Sequence, residues 1–198
     1  MVDLTALELP LKKVQAAGGD QESKSLSRIE MVDSLTRVCH REFFDVQYEI
    51  QWKIAARKHE PLVLFMIDVD QFSSFNAVDS RSGDYALQKI AKALGLLIRR
   101  STDFVARYKG DQFIILAADM SEAQAKTHAL RICERVQALK ILDRQTGQYL
   151  SVCVGYVVGV PDAGKKPRHL LDAATRYLKL AKSMGKGMAH GSGAKRPA

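Results

Sequence analysis

Cysteine is scarce in this chain. Cys39, Cys133 and Cys153 are odd in number, far apart and never paired as Cys-x-x-Cys, which excludes a disulfide framework and a zinc ribbon or finger. His40 beside Cys39 is a weak metal hint, and the scatter of the 5 histidines does not support it. No apolar run approaches the ~20 residues needed to span a bilayer. The first stretch, Met1 to Gln21, carries charges throughout and has no apolar core, so it does not read as a secretory signal. A cytoplasmic location is the expectation. Acidic residues are in deficit: 22 Asp and Glu against 30 Lys and Arg leave a net charge of +8. Such a surface suits an anionic partner, whether nucleotide, nucleic acid or membrane surface. The chain lacks the interleaved aromatic and basic residues of a single-strand binder, so nucleic acid is set aside as a partner.

What is present is ordinary for a globular domain: 46% apolar and 26% charged residues over 198 positions, enough for one domain and short tails. Much of the positive excess lies in the last quarter, at Lys165, Lys166, Arg168, Lys182, Lys186, Lys195 and Arg196. Residues 1–30 read as a leader or the stump of a linker helix, 31–187 as the folded domain, and 188–198 as a disordered Gly- and Lys-rich tail.

Periodicity gives a mixed α/β order. Asp33 or Ser34 can cap a helix running to about Lys58, with Phe44, Tyr48 and Trp52 four apart on one face. Leu62 to Asp68 is a continuous apolar run ending in acid, as expected of a central strand buried on both faces. Gly83 to Arg99 reads as an amphipathic helix. Phe104 to Tyr108 and Gln112 to Ala117 flank a tight turn at Lys109-Gly110-Asp111, a hairpin. Ser121 caps a helix to about Leu139, Gly147 to Val160 is a strand region, and Pro167 opens a last helix that stops near Gly185. The order implies an α/β (α+β) fold, with helices packed on a sheet that contains antiparallel pairs.

Two acids, Asp68 and Asp70, close the central strand, and Asp111 sits on the hairpin turn. Carboxylates converging with a backbone carbonyl make a cradle for Mg²⁺ carried on phosphate oxygens. Taken singly, each acid is more often a solvated turn residue.

The ordered motifs resemble the GGDEF family of diguanylate cyclases over roughly Asp33 to Gly187. Asp33-x-Leu35-Thr36, with Arg41 and Phe44, is similar to the family's opening. Ile67-Asp68-Val69-Asp70-x-Phe72-x-x-Phe75-Asn76 and Gly83-Asp84 follow in order, and Ala181-Lys182-x-x-Gly185-Lys186 resembles its close. Lys109-Gly110-Asp111-Gln112-Phe113 stands where the family has Gly-Gly-Asp-Glu-Phe. The resemblance implies a nucleotidyl-cyclase-like, mostly antiparallel central sheet flanked by helices, with the signature on a β-hairpin. It implies that Asp68, the carbonyl of Val69 and Asp111 hold metal, and that Asn76 and Asp84 read guanine. Lys182 and Lys186 would bind phosphates, with Gly110 letting the backbone approach the nucleotide. Intact members join two GTP molecules, each held on its own protomer, so a homodimer is implied for catalysis.

Departures from that pattern bear on chemistry. Gln112 replaces a carboxylate with an amide, a poorer Mg²⁺ ligand with one negative charge fewer. Lys109 replaces a glycine; it adds bulk where phosphate passes and is expected to strain the turn by about 1 kcal/mol or more. Ser73 stands in place of a lysine, and the loop from Ala77 to Ser82 is short and lacks Gly-His. Arg100-x-x-Asp103, by contrast, sits at the family's distance before the hairpin, where the resemblance implies a product-binding inhibitory site for c-di-GMP. An Arg fork grips phosphate or the guanine Hoogsteen edge, and Asp accepts from guanine N–H groups. Arg131 and Arg135, one helical turn apart, are both candidates to complete it.

These features predict a degenerate domain that binds c-di-GMP and signals to an unknown output protein, with little or no cyclase activity. Mg²⁺ or Mn²⁺ is expected only with bound GTP. The alternatives are an active diguanylate cyclase using Mg²⁺ and a GTP-binding regulatory or scaffolding domain.

Overall fold

In the computed structural model, residues 31–98, 100, 102–162 and 164–193 are described. The expected leader (1–30) and the last five residues of the expected tail lie outside them. Strand β2 (Leu62–Val69) is buried at every position and forms the centre of the molecule. It runs antiparallel to β4 (Gln112–Ala118) on one side and to β7 (Val152–Gly159) on the other. Beyond β4 lies β3 (Phe104–Lys109), antiparallel to it, and then the short β1 (Cys39–His40), parallel to β3. The sheet order is β1-β3-β4-β2-β7-β8. Its core is antiparallel and its two edges are parallel.

Alternation along β2 divides the core. Val63, Phe65, Ile67 and Val69 face one cluster, with α3 (Ser80–Gly95) and α4 (Glu122–Gln137). Leu62, Leu64 and Met66 face the other, with α1 (Arg41–Lys58) and α5 (Arg168–Met184). Helices on both faces explain why the run from Leu62 is apolar without interruption. Fully buried Phe44, Phe65 and Phe113 each contribute about 1.5–3 kcal/mol by burial. Gly155 lets α5 lie directly on β7, since a Cβ there would stand 2.1 Å from the Leu178 nitrogen.

Several boundaries differ from the sequence expectation. The first helix begins at Arg41, because Asp33 uses its carboxylate in a turn closed by the Asp33 N–H donating to the Val38 carbonyl at 2.8 Å. His40 caps α1 instead, its Nδ1 accepting from the Phe43 N–H at 3.0 Å, so it serves the backbone. Helix α3 starts at Ser80 because Asp79 caps it, accepting from the Arg81 N–H and the Ser82 hydroxyl. A separate helix, α2 (Phe72–Val78), precedes it. A small hairpin, β5 (Leu142–Asp143) and β6 (Gln148–Tyr149), stands outside the main sheet. The stretch expected to be a disordered tail from 188 instead carries β8 (Ala189–Gly193), which pairs in parallel with β7 from Val154 to Val158. Its composition is tail-like, but its ladder bonds go to a strand already held in the core. Among the described residues, no helix is long and apolar enough to cross a membrane.

Candidate functional site

The hairpin turn is held from beneath by β3. Gly110 takes the left-handed conformation (φ 57°), and Lys109 does not. The strain expected at Lys109 is therefore absent: the register shift between Arg107 and Lys109 puts the special backbone on the remaining glycine. Arg107 donates from Nε to the Gly110 carbonyl at 2.8 Å and from Nη1 to Asp33 at 3.2 Å. Asp33 also accepts from the Thr36 N–H (2.8 Å) and hydroxyl (2.6 Å). Asp33 and Thr36 thus anchor the turn through Arg107. Burial pushes the Asp33 carboxyl up, but the Thr36 bonds and Arg107 outweigh it and leave its pKa below 3.8. Asp33→Asn is expected to cost about 1 kcal/mol at neutral pH. That deficit is present above the unfolded-state value near 3.8 and fades as pH falls through the lowered folded value. Urea melts of both proteins at several pH values measure it.

Above the turn, the end of β2 meets α5. One oxygen of the buried Asp68 takes the Lys182 ammonium, and its Oδ2 accepts from Gln112 Nε2 at 2.7 Å. Asp111 lies near enough that, after burial, the charge on Asp68 is the next cause raising its pKa, against the pull of Lys182 and Arg107. Asp68, Asp111, Gln112 and Lys182 therefore lie together at this end of the sheet. Asp70 does not join them: it accepts from the Ser151 hydroxyl (2.6 Å) and the Gly187 N–H (2.8 Å), pinning the entry to β8.

The donor set as it stands offers a divalent cation few free side-chain oxygens. Asp68 is already paired with an ammonium and an amide donor. Among the described residues, no group of three or more Asp, Glu, His or Cys side chains could hold a metal. The amide is decisive, because a glutamate in its place could not donate and would leave that oxygen exposed to a cation.

Asn76 on α2 leans against the first turn of α3, next to Asp84. A Cβ at Gly83 would lie 1.8 Å from its Oδ1, so the glycine is what admits it. Asp84 is exposed. Lys186 departs from the group, donating to Gln148 Oε1 of the small hairpin at 3.1 Å.

A second site lies at the far end of β4, roughly 20 Å along the strand from the turn. Asp103 and Arg100 bracket Ala118: Asp103 Oδ1 accepts its N–H at 3.2 Å, and Arg100 Nη1 donates to its carbonyl at 2.6 Å. Arg100 also lies 3.6 Å from Asp119 and stays about half exposed. Burial raises the Asp103 carboxyl above its ordinary value. Arg100, Asp103 and Arg131 line one pocket of about 440 Å³; Arg135, one turn on, is not among its lining residues. Asp119, Gln124 and Thr127 also line it and were not foreseen. The signal for Asp119 was weak, since only the bend after β4, where it takes φ 53°, turns it toward Arg100. Arg107 was likewise missed, although an arginine inside an otherwise apolar strand facing an Asp-x-Leu-Thr turn is a readable clue.

The family model for "Diguanylate cyclase, GGDEF domain" matches residues 30–188. Among curated relatives, the chain is 30% identical over 165 residues to diguanylate cyclase DosC of Escherichia coli K12, covering 82% of this chain and 35% of DosC. It is 30% identical over 189 residues to diguanylate cyclase TpbB of Pseudomonas aeruginosa PA14, covering 93% of this chain and 42% of TpbB. The chain thus spans well under half the length of these relatives. Among solved structures, the GGDEF domain of DgcB from Caulobacter crescentus in complex with c-di-GMP superposes with a TM-score of 0.75 at 22% identity, over 84% of this chain and 98% of that one. With its opening, central, signature and closing motifs in order on this sheet, the chain belongs to the GGDEF, or diguanylate cyclase, domain family.

Proposed function

We infer that this domain is a c-di-GMP receptor that has little or no cyclase activity and works in the cytoplasm on an output protein. The observation that carries the reading is the meeting of Arg100, Asp103 and Arg131 around one pocket. Its volume, about 440 Å³, suits a nucleobase and its phosphate. The Arg fork is reachable and the Asp, an acceptor, lines the same space, the pairing that guanine and phosphate require. The DgcB domain, of the same fold, has been captured with c-di-GMP. At the signature, the Asp68 carboxylate is occupied by Gln112 and Lys182, which opposes metal-assisted attack on GTP. In this reading, Mg²⁺ or Mn²⁺ arrives only on the phosphates of GTP.

Calorimetric titration with c-di-GMP tests it, beside incubation with GTP and Mn²⁺. Micromolar or tighter binding without product formation is expected. Product formation would favour the cyclase, for which the convergence of Asp68, Asp111 and Lys182 is the supporting observation. GTP binding without turnover, and no response to c-di-GMP, would favour a GTP-binding regulatory domain.

The affinity is also expected to depend on pH with a definite sign. The Asp103 carboxylate must be ionised to accept from guanine. Because burial raises its pKa above 3.8, c-di-GMP affinity falls as pH drops toward that raised value, before an exposed carboxylate would protonate. Titrations between neutral and mildly acidic pH measure the midpoint; a flat profile counts against Asp103 as the acceptor.

A further inference from the structure

Helix α1 buries Phe44, Tyr48, Trp52 and Ala55 and turns a different face outward. Between its last turns and the segment before α5 runs a groove of about 740 Å³. Trp52 forms its floor, Lys53 and Arg57 one wall, and Lys165 and Lys166 the other. The walls are tied across the groove by the Tyr48 hydroxyl, which donates to the Pro167 carbonyl at 2.8 Å. Burial raises the Tyr48 pKa, so the hydroxyl stays a donor.

The four cations are exposed, and among the described residues none of them enters an ion pair. Their neighbours do: Lys58 lies 3.9 Å from Glu60, and Arg168 lies 3.6 Å from Asp172. One acid, Glu49, lines the same groove. Four cations against one acid leave net positive charge in a concave place.

We propose that this groove docks an acidic amphipathic helix of a partner protein. Three observations select that occupant. The outward stripe of α1 runs Val46, Ile50, Lys53, Arg57 at helical spacing; Lys53 and Arg57 line the groove, while Val46 (52% exposed) and Ile50 (44%) lie beyond it on the same helix. Apolar and basic positions follow one another along the same stripe. A helix with apolar residues at one end of its contact face and acidic ones at the other is the complement. A single strand of nucleic acid needs exposed rings to stack on, and Trp52, the groove's aromatic, is 7% exposed. A membrane-surface helix carries its basic residues on the face opposite its apolar one, and a bilayer cannot enter a concave groove. This surface is separate from the Arg100 pocket, so the proposal stands or falls apart from c-di-GMP binding.

Trp52 is the only tryptophan in the chain, which makes its fluorescence a direct report on the groove. The probes are a short amphipathic peptide of leucine and glutamate, a single-stranded oligonucleotide, and vesicles containing phosphatidylglycerol. The peptide is expected to shift Trp52 emission saturably. Lys53→Glu with Arg57→Glu, and separately Lys165→Glu with Lys166→Glu, should each weaken it about tenfold or more. The charge-matched control Lys92→Glu with Lys179→Glu should stay within about twofold. Affinity for c-di-GMP should be unchanged in both groove variants. Equal weakening in the control would reduce the effect to net charge and overturn the proposal. A response to oligonucleotide or vesicles in place of the peptide would reassign the groove to nucleic acid or membrane. Silence with all three probes would remove it as an anion-docking surface.

Discussion

Arg100→Ala is expected to weaken c-di-GMP binding about a hundredfold, roughly 2.7 kcal/mol, the scale of one bidentate charge-assisted contact. Arg100 Nη1 spans the Ala118 and Asp119 carbonyls at 2.6 and 3.3 Å, an arrangement that orients the guanidinium before any ligand arrives. Arg100→Lys keeps the charge but loses the fork, and should recover little of the affinity. Arg131→Ala should weaken binding measurably, because Arg131 lines the pocket, while Arg135→Ala should stay within about twofold. Calorimetry on the four proteins, with thermal melts as a folding control, decides the matter. Unchanged affinity in Arg100→Ala would remove the site assignment altogether.

Gln112→Glu is expected to destabilise the domain by about 1–3 kcal/mol in the absence of divalent cations. The change exchanges the 2.7 Å donation to Asp68 for a like-charge contact beside Asp111. Mn²⁺ should restore the loss in the variant, raising its Tm, because a third carboxylate completes a hard oxygen site. The parent protein should show no comparable shift. An equal Mn²⁺ response in both would mean that Gln112 does not keep the cation out. If Lys109→Gly combined with Gln112→Glu forms c-di-GMP from GTP, the signature alone is at fault.

Much of this was legible beforehand because it is local. The four-residue spacing of Phe44, Tyr48 and Trp52 marked the buried face of α1, and their burial at 0, 4 and 7% agrees. The run from Leu62 marked a strand covered on both faces, and Ser121 marked its helix, where it forms a capping box with Gln124. The turn at Gly110 was equally plain. Where local chemistry points two ways, long-range contacts decide. Asp33 has the composition of a helix cap, yet it serves a turn: its carboxylate takes the Thr36 N–H and hydroxyl, and Arg107, 74 residues away in sequence and 3.2 Å away in space, joins them. Residues 189–193 have the composition of a tail, yet they complete a sheet edge, because β7 offers them a ladder.

The sequence by itself determined the family, the mixed sheet and the residues that differ from an intact signature, since these depend on residue type, order and short-range periodicity. Only the tertiary structure decided what those residues touch. It put Gln112 and Lys182 on the two oxygens of Asp68, left Lys109 unstrained by giving the left-handed turn to Gly110, and chose Arg131 over Arg135 for the pocket. Each of these depends on the register of β2 against β4 and the seating of helices on the sheet. Those long-range pairings are set by the burial of the whole core, and no single segment carries them.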